Sequence, residues 1–304
     1  WIAKEGELTH LYSYENWNRS KIEYDRLREF CLNEKVDEEY MRSEIKKESY
    51  GSSNIMKFEK KQAGWKNVLL YGAIIPLLFI FQEISSRVGG FIADMFLYGK
   101  FDPYDAYAGN SVHHITMLLL ALIASLVLSK LLKADFGFSL GDRKTGTKFV
   151  VMYTIILAGI TLVVHILMMI NDSLPVYAYP LNKNNIIGTL CFQLLLTGPA
   201  EEMLFRALPI TILVYVLGKS VKVKWGVTLE TFIAAFLFSI AHIKWSISTF
   251  VIEADYFQLF YAFAQGVISG KAYQDSRSVI YPMFMHSISN VMMVGTGYLF
   301  LLLL

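Results

Sequence analysis

Glu201 and Glu202 stand side by side, with Arg206 one helical turn later, inside an apolar run from about Ile186 to Leu217. A charge at the centre of a membrane-inserted helix costs about 2.5–3.5 kcal/mol. Three of them together need a compensating reason: mutual neutralisation inside a bundle, or a cavity where chemistry happens. Two more apolar runs are interrupted in the same way. One holds His242 four residues after Phe238, and the other holds His286 with Asn290 four residues later. Helical spacing puts Glu202 and Arg206 on one face, where they can pair. Glu201 lies about 100° round the helix and faces elsewhere. His286 and Asn290 share a face and can present donors to one point. Such a set contains a base and several donors, which is what hydrolysis of an amide requires once a water is positioned and negative charge develops on the carbonyl oxygen. A carboxylate without a cation partner in a dry cavity is the better base, which favours Glu201. Glu202, paired with Arg206, stays ionised.

The elements that must carry these residues are membrane helices. The chain has 304 residues, 54% hydrophobic and 18% charged, too apolar for a soluble domain of that length. The expected fold class is all-α, a polytopic membrane bundle of seven to eight transmembrane helices with a helical, charged N-terminal extramembrane segment. Seven spans are expected, at 67–87, 112–132, 149–170, 186–217, 229–250, 256–272 and 279–301. The fourth contains Pro199 and Pro209 and reads as one kinked helix or two shorter ones. Val88–Gly99 reads as re-entrant or interfacial. Counted from the side rich in lysine and arginine, His286 lies about two turns into its helix, His242 three to four and Glu201 about four, so one shared site is possible.

Two domains are expected: an extramembrane arm and linker over 1–64, and a membrane domain over 65–304. The arm carries most of the charge. Trp17, Tyr24, Leu27 and Cys31 fall at helical spacing, as do Tyr40, Met41 and Ile45, which predicts one or two amphipathic helices. The arm reads as a cap on the membrane domain or as a partner-docking segment. Lysine and arginine gather before the first span, between the second and third, and at Lys219, Lys222 and Lys224, which places the N-terminus in the cytoplasm. The net charge of +2 points to no nucleic-acid partner. Cys31 and Cys191 sit in unlike surroundings, so neither a disulfide nor a thiolate metal site is expected. The chain opens on Trp1, read as a trimmed end, with polar residues and no signal-peptide core.

Glu-Glu-x-x-x-Arg, then Phe-x-x-x-His, then His-x-x-x-Asn, in order on successive apolar segments, resembles the CAAX protease and bacteriocin-processing (Abi) family. These are intramembrane glutamic endopeptidases related to the Ras-converting CAAX endopeptidase. The resemblance spans roughly residues 112–301 and leaves 1–64 outside. It implies that Glu201 is the general base, that His242 holds the water, and that His286 and Asn290 donate to the oxyanion. Glu202 with Arg206 would stiffen the site, with Phe238 packed beneath it. It implies no cofactor. The substrate would be a membrane-associated peptide or protein, lipidated or leader-bearing. Codon usage suggested by the many Ile, Lys, Asn and Tyr residues fits a bacterial cell membrane, where a secreted peptide or leader is favoured over a prenylated tail.

Two other functions compete. Glu201, His242 and His286 make an acceptable His₂Glu zinc set, although the His-Glu-x-x-His helix of zinc hydrolases is absent. A non-catalytic scaffold, sensor or immunity protein would instead use the bilayer-embedded fold to bind a partner membrane protein, with the arm 1–64 as its docking segment. His113, His114 and His165 lack motif partners and read as interfacial or interhelical. Tyr281 and Pro282 read as an interface anchor and a helix start.

Overall fold

A computed structural model describes the backbone of residues 2–4, 7–9, 65–245 and 252–304, and the side chains of residues 72–243 and 253–304. The chain divides into two units, Trp1–Phe58 and Glu59–Leu304. In the first, β1 (Ile2–Lys4) and β2 (Glu7–Thr9) pair antiparallel with Ile2 opposite Thr9. The amphipathic helices expected around Trp17–Cys31 and Tyr40–Ile45 lie outside the described residues.

The second unit is helical, with seven helices among the described residues. They are α1 (Trp65–Asp94), α2 (Ala108–Leu132), α3 (Arg143–Ile170), α4 (183–217), α5 (Leu229–Ile240), α6 (Tyr256–Ser276) and α7 (Ile280–Leu303). A two-residue ladder, β3 (Lys244–Trp245) with β4 (Ile252–Glu253), lies between α5 and α6. Four segments are long and apolar enough to cross a membrane: Gly72–Asp94, Ala108–Leu132, Arg143–Ile170 and Ile280–Leu303. α4, α5 and α6 do not meet that standard, so a count of seven to eight spans is not reached on length and composition.

Local chemistry explains where the helices begin. The Asp102 carboxylate accepts the backbone N–H groups of Ala106, Tyr107 and Ala108 at 2.8–2.9 Å, setting an anion on the first turn of α2. Asp142, Asn182, Thr228 and Asp255 cap α3, α4, α5 and α6 with side-chain oxygens. Several ends are equally specific. α2 and α6 stop at Lys133 and Arg277, both left-handed, and α4 stops at Gly218, where φ is 69°.

Two segments differ from expectation. Val88–Gly99 is not re-entrant, because α1 runs on through it to Asp94. The span expected over 229–250 stops at Ile240. Its last turn tightens, with His242 N–H donating to Ser239 and Ile243 N–H to Ile240, at 3.1 and 3.0 Å. His242 is therefore presented from the end of a short helix, not from the middle of a long one.

α4 is continuous, in answer to the question its prolines raise. It runs as Lys183–Phe192, a π-helical turn at Gln193–Thr197, Gly198–Glu202, a second π turn at Met203–Ala207, and Leu208–Leu217. Each proline follows a π turn. A proline has no N–H to donate and crowds the carbonyl four residues back. Shifting the hydrogen bonds by one residue beforehand removes both problems. α7 lies against this helix at Gly198, where a Cβ would run into the Met283 carbonyl and the Ser287 hydroxyl. Leu78, Leu213 and Leu237 form an apolar cluster joining α1, α4 and α5. Tyr281 is buried, its hydroxyl donating to the Leu140 carbonyl at 3.0 Å, so it is an internal tie and not an interface anchor.

Candidate active site

The short helical segment between the two π turns carries Glu201 and Glu202, and the surrounding helices determine how they differ. Glu202 is fully buried and Glu201 keeps 16% of its side chain exposed. Arg206, also fully buried, puts Nε 3.4 Å from Glu202 Oε2, although neither atom makes a hydrogen bond. The pair is thus held by charge and not by a directed bond. The Arg206 guanidinium lies 4.0 Å over the ring of Phe238, a desolvated contact of about 2 kcal/mol in favourable cases. Phe205 packs on the same ring, with centroids 5.2 Å apart. Phe238 therefore backs the ion pair.

α7 supplies His286, whose two nitrogens reach two carboxylates. Nδ1 is 2.7 Å from Glu202 Oε1, and Nε2 is 3.6 Å from Glu201 Oε2. Gly198 makes this possible by letting the helices approach. The ring is 3% exposed, so little of it is left to face a substrate. His242, at the end of α5, has Nδ1 2.8 Å from the Phe238 carbonyl. A carbonyl only accepts, so Nδ1 carries the proton and Nε2 of the neutral ring offers a lone pair.

Glu201, His242, His286 and Asn290 line one cavity of about 370 Å³, with Phe238 in its wall. Every motif residue except Glu202 and Arg206 thus faces a common space, and those two sit behind it. The cavity also shows what the sequence did not announce. His114, expected to be interfacial or interhelical without a role in the site, has Nε2 3.2 Å from Glu201 Oε1 and Nδ1 2.9 Å from the Asn110 carbonyl. Its partner is 87 residues away, and no local spacing could have revealed it. Gln193, Thr197, Gln258, Tyr261 and Gln265 add polar groups to the lining. His113 turns instead toward Ser86 Oγ at 3.3 Å, and His165 bonds the Thr161 carbonyl at 2.8 Å within α3. Among the described residues no three His, Cys, Asp or Glu side chains form a group able to hold a metal ion, so geometry adds nothing to the zinc reading. Cys191 is a free, exposed thiol, and Cys31 lies outside the described residues.

A second cavity of about 770 Å³ lies between α3 and α6, walled by apolar residues including Met152, Ile156, Phe257 and Ile268. It shares Tyr261 and Gln265 with the first. Gln265 is 5% exposed, and its Nε2 has no hydrogen-bond partner.

Comparison with protein families places residues 183–292 in a match to the model of the Rce1-like family, type II CAAX prenyl endopeptidase Rce1-like. The stretch holds all three motifs, so the resemblance read from them is borne out there, while α2 and α3 lie before it. No curated protein and no solved structure matches the chain.

Proposed function

We propose that this chain is an intramembrane endopeptidase in which Glu201 activates water against a peptide bond of a membrane-associated substrate. The observation that carries the proposal is the shared cavity. A carboxylate, a lone-pair imidazole nitrogen and an amide from three separate helices line one space, within a stretch that matches a prenyl endopeptidase family.

The roles follow from what each group has free. Glu201 takes a proton from the water as its oxygen attacks the carbonyl carbon, then returns that proton to the leaving amine as the tetrahedral intermediate collapses. His242 Nε2 accepts the water's second hydrogen and fixes its approach. Asn290 donates its amide N–H to the developing oxyanion. His286, with one nitrogen at each glutamate, is better suited to aligning the carboxylates than to binding the oxyanion. Glu202, Arg206 and Phe238 support it from behind. No metal or cofactor is part of this proposal. The apolar cavity between α3 and α6 suits a substrate that arrives from the hydrocarbon, with a lipid chain or an apolar leader. Lysine and arginine gathered before the first apolar run and at Lys219, Lys222 and Lys224 support an N-terminus in the cytoplasm of a bacterial cell.

The test compares peptide termini in membranes carrying wild type and Glu201→Gln at equal abundance. New termini present only with wild type support the proposal and identify the substrate and its lipid or leader. Identical termini in both, with the biological phenotype intact, overturn it in favour of a scaffold.

A further inference from the structure

The motif residues hold Glu201 at one carboxylate oxygen only, Oε2, through His286 Nε2 at 3.6 Å. Arg206 pairs with Glu202, and His286 makes its short contact with Glu202 as well. The group left over is His114, from α2, which lies outside both the three motifs and the matched stretch. We infer that His114 is a positioning residue for the proposed hydrolysis: it holds the carboxylate oxygen of Glu201 that His286 does not reach.

Its orientation is fixed at three points. Nδ1 lies 2.9 Å from the Asn110 carbonyl one turn back on α2, an acceptor only, so Nδ1 is the donor. The ring meets Phe192 of α4 edge to face, with centroids 4.9 Å apart. Nε2 then points at Glu201 Oε1, 3.2 Å away. One proton held between Nε2 and Glu201 Oε1 closes that contact, whichever of the two atoms carries it. Glu201 Oε2 faces His286 Nε2 at 3.6 Å, so each carboxylate oxygen has its own imidazole, from α2 and from α7. A carboxylate held at both oxygens cannot swing about its last torsion, and its free lone pairs stay directed into the cavity. His114 also stands between the substrate cavity and a smaller one of about 130 Å³ on the α1 side, lined by Glu83, Ser86 and His113. It does not need to touch the substrate to do this work.

The inference rests on the endopeptidase reading, and the experiment separates the two. Wild type, Glu201→Gln, His114→Ala and His114→Gln are purified as full chains. They are assayed with a fluorogenic peptide built on the cleavage site that the terminus comparison maps. The expected result is a kcat lower by on the order of 10²-fold for His114→Ala, the scale of a misplaced reacting group, with KM and thermal midpoint unchanged. His114→Gln, whose amide can donate to Glu201 in place of the ring, recovers part of the loss. Wild-type kcat in His114→Ala, with Glu201→Gln inactive, overturns this inference alone. A lowered midpoint that accounts for the lost activity, with Gln no better than Ala, overturns it too. Full activity in Glu201→Gln removes the endopeptidase reading and this inference together.

Discussion

Arg206 and Glu202 are 0% exposed and compensate each other at 3.4 Å. Removing one partner of such a pair leaves an uncompensated charge in a dry interior, at a cost of about 3–5 kcal/mol. Arg206→Met is therefore expected to lower the thermal midpoint of the detergent-solubilised protein sharply. Adding Glu202→Gln should restore much of the loss, since both charges are then gone. Glu201→Gln should leave the midpoint near wild type, because Glu201 borders the cavity while Glu202 is walled in. Asn290 belongs to a different class. It lines the cavity without an assigned partner in the site, and loss of one oxyanion donor lowers kcat by roughly 10²–10³-fold. Asn290→Ala should show that loss in the fluorogenic assay at unchanged stability. A change confined to KM would instead make it a substrate-binding group.

At the scale of elements, the site depends on how closely α4 and α7 approach. Gly198 is the contact, and its missing side chain lets His286 reach both glutamates. Gly198→Val should force the helices apart at a cost of about 1–3 kcal/mol in overpacking, and activity should fall further than stability accounts for. Much of this arrangement was legible beforehand. Each observed helix of the second unit overlaps one of the seven apolar runs, and the charged residues stood out because hydrocarbon tolerates them poorly. The rest was hidden for definite reasons. The apolar run after Leu229 continues past Ile240, so hydrophobicity alone could not show where α5 stops. The π turns are a matter of backbone hydrogen-bond register, which side-chain patterning reports only through Pro199 and Pro209. His114 sits beside His113 in an ordinary apolar helix, and only the folded chain brings it to Glu201. Tyr281 looked like an interface residue because aromatic residues often open spans, yet the hydroxyl found an internal carbonyl.

On the scale of the whole molecule, the apolar cavity between α3 and α6 adjoins the one lined by Glu201 through Tyr261 and Gln265. Ala264 lies in its wall. Ala264→Trp should raise KM for a membrane-anchored substrate while leaving cleavage of a short soluble peptide of the same sequence unaffected. Equal effects on both would show that this cavity plays no part in substrate entry. The brevity of α5 has a consequence for solvent. Its 12 residues span about 18 Å at 1.5 Å per residue, little more than half of a hydrocarbon layer of about 30 Å. Backbone that leaves helical form at such a depth is tolerated only against protein or beside water. The turn that carries His242 is half-buried, and the expected neighbour on its open side is water, which would feed the proposed hydrolysis from a continuous supply instead of a few trapped molecules. Deuterium should reach the backbone amides of Ala241 to Ile243 within the time that mid-helix amides of α2 and α3 remain protected.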